Sequence, residues 1–275
     1  MSGQAVAVPI VRPRERPSRA PLRLGGLRRF IVPILLVVLW QAAAEAGLVS
    51  TRLLAPPSAI ATAAWDLTIS GELPYHLLVS LQRVAIGLAI AITAGVSLGL
   101  IAGLSKLGED AVDATLQMLR ALPFLALVPL FILWLGIGEA TKIALVALGA
   151  TFPIYLTLFG GIRGVDPKLL EAGRILGLDR AGLIRHIVLP GALPQALVGL
   201  RYALGTAWLS LVVGEQINAT AGIGFLVMDA REFLRTDIIL VGLLVYALLG
   251  LGADQLVRLI ERRALAWRPS LIREA

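Results

Sequence analysis

The chain of 275 residues contains no cysteine, only two histidines and few charged residues. Without cysteine it can form no disulfide and has no thiol chemistry, and His76 and His186 are too far apart in sequence for a metal-ligand spacing. Charged residues make up 16% of the chain, whereas soluble domains average about 25%. Hydrophobic residues make up 57% and the mean hydropathy is +0.84. This composition indicates an integral membrane protein.

Motifs of catalysis are also missing from the sequence. It contains no G-x-x-x-x-G-K-[ST] phosphate loop, no G-x-S-x-G and no H-E-x-x-H. We therefore expect no catalytic residue, no metal site and no cofactor bound by this chain. A transport subunit that takes its energy from a partner fits these absences better than an enzyme does.

The apolar runs predict an all-α membrane protein with six spans. Each run is long enough to cross the roughly 30 Å hydrocarbon core as a helix, and no period-two pattern predicts strands. A shorter surface helix is expected around 58–70. The predicted spans are residues 30–49, 80–104, 116–136, 142–162, 193–215 and 237–257.

Arginine and lysine are concentrated on alternate connections between these spans. Many lie before the first span, within residues 163–192 and in the tail, whereas the opposite connections carry only Arg52, Lys142, Arg231 and Arg235. This bias predicts that both termini and the 163–192 loop are cytoplasmic. Because the charges are divided among loops, the pI near 10.5 does not require a nucleic-acid partner.

The same patterns divide the chain into three regions. Residues 1–29 are rich in Arg and Pro and predict a disordered, basic, cytoplasmic N-terminus. Residues 30–260 form the transmembrane domain, which includes the cytoplasmic loop at 163–192. Residues 261–275 form a cytoplasmic tail. Arg28-Arg29 before an apolar run could mimic an export signal, but an uncleaved first span is the stronger interpretation.

Small residues recur at every fourth position of the second span. They predict the close approach of another helix, either from the same chain or from a second copy. Near the cytoplasmic ends of two other spans, Arg201 and Asp254 are expected to pair. The small residues are Gly87, Ala91, Gly95, Gly99 and Gly103.

Three residues are candidates for a translocation path: Glu215, Gln216 and Pro153. Glu215 is either a functional carboxylate within the membrane or an interfacial residue at the outer mouth. Pro153 frees a backbone carbonyl and bends its span, which serves either a path or the fit between helices. Arg83 is expected near the outer end of the second span, with its side chain extending to the interface.

The polar segment between the fourth and fifth spans predicts a helix, a glycine turn and a second helix. Asp166 is suited to cap the first helix, and Pro167 to its first turn. Gly177 can end that helix with a positive φ. Asp179 can cap the second helix, and Pro190 is expected to end it. Such an element between two spans is suited to contact a partner outside the bilayer.

This segment resembles the EAA loop of ABC-importer permeases, written as E-A-A, three residues, G, nine residues, I, one residue and L-P. The one departure is a glycine in place of the third small residue, which preserves the small volume. Every interval of the pattern is correct. The matching residues are Glu171, Ala172, Gly173, Gly177, Ile187, Leu189 and Pro190.

Beyond residue 50 the chain is most similar to the aliphatic-sulfonate branch of these permeases, whose near relatives handle taurine, nitrate and bicarbonate. The resemblance implies the type I importer permease fold in a bacterial inner (plasma) membrane. An unrelated six-span membrane protein is the remaining alternative. The resemblance rests on residues 152–155, 161–163, 189–194, 222–225, 230–233, 236–237, 261–263 and 267.

The resemblance also implies partners. Two copies of the chain would form the pore, two cytoplasmic ATPase subunits would bind ATP and Mg²⁺, and a periplasmic or lipid-anchored protein would deliver the substrate. The helix around 167–176 would dock on the ATPase, with Glu171 as a charged contact or loop stabiliser and Gly177 at the turn. The cargo would be an aliphatic sulfonate or, alternatively, nitrate, taurine, bicarbonate or a thiamine-precursor pyrimidine. Because Arg and Lys are scarce at membrane depth, we expect the external protein to capture the anion.

Overall fold

The computed structural model describes residues 25–217 and 219–267, and these ranges contain helices and turns but no strand. This agrees with the predicted all-α class. The expected disordered N-terminus lies largely outside the described residues, as does the end of the tail. The helices are α1 (Gly25–Glu45), α2 (Pro57–Ile69), α3 (Glu72–Leu104), α4 (Lys106–Ala121), α5 (Val128–Leu135), α6 (Glu139–Arg163), α7 (Pro167–Ile175), α8 (Arg180–Leu183), α9 (Leu189–Gln216), α10 (Ile223–Glu232) and α11 (Thr236–Ala264).

Among the residues that the structure describes, four helical segments are long and apolar enough to cross a membrane. They contain the second, fourth, fifth and sixth predicted spans and extend beyond the predicted bounds. The first predicted span corresponds to a shorter apolar helix, Ile31–Glu45. The four long segments are Glu72–Leu104, Glu139–Arg163, Arg180–Gln216 and Thr236–Ala264.

The third predicted span, 116–136, is not one continuous helix, so the prediction of an unbroken helix there is wrong. Helix α4 ends at Ala121, and a 3₁₀ turn at Phe124–Leu127 precedes α5. Pro123 explains the break, because a proline disfavours the α region for the residue before it. Leu122 accordingly has φ −74° and ψ 131°.

Helices α3, α6 and α9 form the centre of the bundle. Gly87 lies against Val146 and Gly103 lies against Ile162, so α3 and α6 run parallel. Gly161 lies against Ala192, near the start of α9, and the end of α9 packs on the start of α6, so α6 and α9 are antiparallel. The predicted close neighbour of the small-residue face is therefore α6 of the same chain.

Helices α2, α10 and α11 form a second apolar cluster beside this centre. Helix α11 runs antiparallel to α9, and Arg201 of α9 lies 3.3 Å from Asp254 and 2.7 Å from Glu261. The predicted pairing of Arg201 with Asp254 is thus confirmed. We call the end of the bundle that carries α7 the loop end, and the end that carries Arg83 and Glu215 the far end.

Candidate functional site

Helix α7 at the loop end is defined by capping interactions close to it in sequence. The Asp166 carboxylate accepts a hydrogen bond from the Lys168 backbone N–H at 2.9 Å, and Pro167 occupies the first turn. After α7, Gly177 has φ +86°, in the left-handed region, and the Leu178 N–H donates to the Gly173 carbonyl at 3.0 Å. These bonds fix both ends of a nine-residue helix.

The second helix of the loop begins at its predicted cap but does not end at Pro190. The Asp179 carboxylate accepts from the Gly182 N–H at 2.8 Å. The chain then continues through a π-helical turn, Ile184–Val188, directly into α9. Pro190 lies in the first turn of α9, where the missing N–H is tolerated. The predicted stop is therefore wrong, and the loop joins α9 without a break.

Gly173, the departure from the usual motif, lies where α7 crosses the following helical turn. A Cβ at this position would lie 2.6 Å from Cδ1 of Ile187 and 2.7 Å from Cδ2 of Leu183. Ile187 is itself a motif residue, so the structure brings two positions of the motif into contact. The glycine allows α7 to pack closely against this turn.

One side of α7 is held by the bundle and the other is exposed. Leu170 packs against the apolar cluster that includes Leu158 and Val188. Leu169, Ile175 and Leu176 are exposed, with Ile175 at 86%. Exposed apolar side chains on a short capped helix are suited to bury against another surface.

Glu171 is also exposed on α7, and its side chain makes no hydrogen bond or ion pair with the residues that the structure describes. We call Leu169, Glu171, Ile175 and Leu176 together the α7 surface. Glu171 adds a negative charge beside these apolar side chains, and the basic residues Lys168 and Arg174 are also exposed on α7. The motif residues thus divide into packing residues, such as Gly173 and Ile187, and exposed ones, such as Glu171 and Ala172.

The loop end of α4 is attached to α6 by polar contacts. The Tyr155 hydroxyl donates to the Asp113 carboxylate at 2.8 Å. Arg163, the last residue of α6, forms an ion pair with Glu109. These contacts hold the helix before the Pro123 break against the helix that leads into α7.

A buried polar cluster lies at the far end of the bundle. Arg83 is 3% exposed and Glu215 is 1% exposed, and Nη1 of Arg83 donates to the Glu215 carboxylate at 2.7 Å. Nε and Nη2 of Arg83 donate to the two oxygens of Glu139, each at 2.6 Å. Lys142, also buried, lies 3.1 Å from Glu139. The Arg83 side chain is therefore buried and not extended freely at the surface, because its guanidinium donates to the buried Glu215 and to Glu139, whose side chain is 56% exposed.

Glu215 also holds the segment that leads into α10. One carboxylate oxygen accepts from the Ser80 hydroxyl at 2.7 Å. The other accepts from the Gly224 N–H at 2.8 Å. Nη1 of Arg83 donates to the carbonyl of Ala221 at 2.6 Å. A carboxylate with this many donors fixes the start of α10 to α3 and α9.

The three candidate path residues are not brought together. Glu215 belongs to the buried cluster, whereas Gln216 is exposed at the end of α9. Pro153 lines a separate open groove of about 440 Å³ between the α4–α5 break, α6 and α9. Within the described ranges, no three His, Cys, Asp or Glu residues are grouped so that they could hold a metal ion.

Residues 95–265 match the family described as "Binding-protein-dependent transport system inner membrane component". The chain is 50% identical over 241 residues to the "Putative aliphatic sulfonates transport permease protein SsuC" of Escherichia coli, covering 88% of this chain and 92% of that protein. The protein of the same name from Bacillus subtilis is 43% identical, covering 94% and 92%. The "Taurine transport system permease protein TauC" of Escherichia coli is 36% identical, covering 84% and 86%.

A solved structure supports the fold. The crystal structure of "an amino acid ABC transporter with histidines" superposes with a TM-score of 0.59 at 20% identity, covering 72% of this chain and 94% of that chain. The relatives named above are transport permeases, not enzymes. The chain is therefore a multi-pass membrane protein and belongs to the family of inner membrane components of binding-protein-dependent transport systems.

Proposed function

We propose that this chain is the transmembrane permease subunit of an ATP-driven importer whose cargo is an aliphatic sulfonate. The observation that supports this assignment of the cargo is the 50% identity to the SsuC protein across nearly the full length of both chains. The 36% identity to the taurine permease makes a sulfonate the class of cargo that these relatives share. Nitrate, bicarbonate and a thiamine-precursor pyrimidine remain alternative cargoes.

The α7 surface is the proposed contact with the ATPase subunit, where ATP and Mg²⁺ bind. Its apolar residues would enter a groove on that partner, and Glu171 would meet a polar or cationic group at the rim. Because α7 is capped at both ends and continues through α8 into α9, a displacement of the docked helix would be passed to the membrane-spanning core.

The assembly follows from this role. Two copies of the chain would form the pore, two ATPase subunits would bind at the loop end, and a periplasmic or lipid-anchored protein would deliver the cargo at the far end. The loop end and both termini would be cytoplasmic in a bacterial inner membrane, with six spans in all. The segment from α4 to α5 would supply the third crossing despite its break, and α1 the first. Exposed apolar residues of α1, such as Leu36 at 61%, are suited to contact lipid.

Growth of a deletion strain tests the proposal. We expect a strain that lacks this gene to fail on an alkanesulfonate as the only sulfur source and to grow on sulfate. The wild-type gene should restore growth, whereas the Glu171→Ala gene should not. Nitrate as the only nitrogen source, and taurine as the only sulfur source, are tested in parallel. Failure on nitrate or taurine with normal growth on alkanesulfonate would replace the cargo but keep the permease role.

A reconstituted complex gives the direct measurement. Permease, ATPase and binding protein in proteoliposomes should take up labelled alkanesulfonate only when ATP is supplied. Uptake without ATP would indicate a channel and would overturn the proposal. Failure of the permease to purify with any ATPase would do the same.

A further inference from the structure

Helix α4 lies beside the centre of the bundle and is held there by few contacts. Gly108 is the one fully buried residue of α4, a helix that the structure describes completely. None of the three apolar clusters found among the described residues includes a residue of α4. The helix is therefore attached mainly through its start, at Gly108, and through polar side chains, not through an apolar face.

Both ends of α4 are places where the backbone changes direction. At its start a single residue, Ser105, separates it from α3, with φ −143° and ψ 143°. This turn is tight, because a Cβ on Gly108 would clash with the carbonyl oxygen of Ile101. At its other end the helix stops at Ala121, just before Pro123. With 16 residues, α4 is a rod of about 24 Å between two hinges.

Two polar contacts join α4 to α6, and we call them together the α4 latch. The outer contact is the ion pair between Glu109 and Arg163, and the inner one is the hydrogen bond that the Tyr155 hydroxyl donates to Asp113 at 2.8 Å. Phe159 connects the two on α6. Its ring stacks on that of Tyr155, with 5.8 Å between ring centroids, and the Arg163 guanidinium lies 5.9 Å from the Phe159 centroid.

The two contacts of the α4 latch differ in how easily they open. The side chains of Glu109 and Arg163 are 37% and 42% exposed, and water can replace the partners of an ion pair so exposed at little cost. Tyr155 is 0% exposed, so its hydroxyl would be left buried and unpaired if Asp113 moved away. The outer contact can therefore open readily, while the inner contact favours the return of α4.

Arg163 is the last residue of α6, and Asp166, the N-cap of α7, follows three residues later. We propose that the α4 latch is a coupling element outside the motif. A displacement of the docked α7 opens the contact between Glu109 and Arg163, frees α4 to turn about its two ends, and so changes the third crossing at the α4–α5 break. The inference rests on the proposed function and adds Glu109 and Arg163 to it as positioning residues for transport.

Cross-linking of the full permease–ATPase complex in proteoliposomes tests the movement. The chain has no cysteine, so Glu109→Cys combined with Arg163→Cys supplies the only thiols of the permease. We expect a cleavable bifunctional methanethiosulfonate to link this pair without nucleotide, and much more slowly with a non-hydrolysable ATP analogue. Uptake by the linked complex should be lost, relative to the untreated variant, and should return after reduction.

Arg201→Cys combined with Glu261→Cys is the matched control. These residues form an ion pair of similar exposure, at 37% and 32%, between α9 and α11, two helices that pack against each other. We expect this pair to link equally with and without nucleotide and to retain uptake when linked.

Arg163→Gln and Glu109→Gln test the ion pair without a cross-linker. Each should lower the sulfonate taken up per ATP hydrolysed about threefold, the order of effect of an exposed pair, and leave the melting temperature of the complex nearly unchanged. Because both substitutions remove the same contact, the double variant should be no worse than either single one. A loss of about ninefold in the double variant would mean independent roles and would overturn the inference. Asp110→Asn, an exposed carboxylate on the same helix, should leave the ratio unchanged.

The outcomes distinguish this inference from the proposed function. If the wild-type complex takes up no alkanesulfonate when the binding protein and ATP are present, the proposed cargo is wrong, and the nucleotide dependence of the cross-link, which needs no cargo, still decides the inference. If wild-type uptake is normal but the linked complex transports as well as the untreated variant, only the inference fails. Equal linking of Glu109→Cys and Arg163→Cys with and without nucleotide would also overturn it.

Discussion

Arg83 and Glu215 are 132 residues apart in sequence and form an ion pair in which both side chains are buried, at 4% and 0% exposure, with 2.7 Å between Nη1 and Oε1. Glu139 and Lys142 extend the pair, so two cations meet two carboxylates and the cluster is neutral. The partners offset part of the desolvation cost of the buried charges, whereas a buried charge left without a partner would be far more destabilising.

We expect Glu215→Gln to destabilise the protein by about 3 kcal/mol, as the loss of one member of a buried pair does. The amide removes the negative charge beside Arg83 and places an NH₂ group against the N–H of Gly224 or another donor of the cluster. Thermal unfolding of the purified protein in detergent measures the effect. Glu261→Gln, which weakens a partly exposed pair with Arg201, is the control and should cost less than about 1 kcal/mol. Equal melting temperatures for the two variants would contradict this role of the pair.

The parts of the fold that were predictable depend on residues close together in sequence. The caps at Asp166 and Asp179 and the left-handed turn at Gly177 each involve a hydrogen bond or backbone angle within a few residues. The prolines were harder to interpret. Pro123 breaks a predicted span, whereas Pro190 does not end a helix. Pro190 is tolerated because it follows a π-helical turn and lies in the first turn of α9.

Contacts between distant segments were not predictable from local pattern. Local pattern places Arg83 at the membrane interface and gives no indication of its two carboxylate partners. Those partners, Glu139 and Glu215, lie 56 and 132 residues away in sequence. The sequence did contain a signal for this pairing. The predicted topology places Arg83, Lys142 and Glu215 at the outer ends of spans, and opposite charges at membrane depth pair with one another. The open groove beside Pro153 leaves no such signal in the sequence, because it depends on how three separate segments pack.

Gly95→Ala tests the close packing of α3 on α6. A Cβ at Gly95 would lie 2.9 Å from the Cβ of Ile154 and 3.0 Å from the carbonyl oxygen of Thr151, and neither atom can turn away. We expect a loss of about 1–3 kcal/mol from overpacking. Thermal unfolding in detergent is again the measurement.

Gly205→Ala on α9 is the matched control, because an added Cβ there meets no atom within 4 Å. It should be neutral or stabilising by up to about 1 kcal/mol, since alanine is the better helix former. A neutral Gly95→Ala would show that the two helices separate without cost and that the observed approach is not needed.

Glu171→Ala should abolish transport without affecting folding. Glu171 is exposed and its side chain has no bond to the described part of the chain, so the melting temperature should change by less than the equivalent of about 0.5 kcal/mol. Uptake by the reconstituted complex should be lost, together with stimulation of the ATPase by the binding protein. Asp110→Ala removes another exposed carboxylate from the loop end, on α4, and should retain uptake. Normal uptake by Glu171→Ala, with the ATPase still bound, would exclude the proposed coupling role.

Gly173 allows a graded test of whether the packing of α7 matters for coupling. The atoms nearest to an added Cβ are the ends of the flexible Ile187 and Leu183 side chains, so Gly173→Ala should be accommodated by their rotation. Alanine also gains about 1 kcal/mol of helix propensity, which offsets the crowding. We expect near-normal stability and uptake, in keeping with the small residue of the usual motif.

Gly173→Val, by contrast, adds a Cβ and two further methyl groups where the Cβ alone already requires movement. The valine would displace α7 from the turn that carries Leu183 and Ile187, at a cost of about 1–3 kcal/mol, and uptake should fall with it. Ala111→Val on α4 is the control, because Ala111 is exposed, lies outside the motif, and the same side chain there costs only the roughly 0.5 kcal/mol of helix propensity. If Gly173→Val transports as well as Ala111→Val, then the contact between α7 and the following turn does not transmit the coupling motion. The α7 surface would then have to act through the backbone connection to α9 alone.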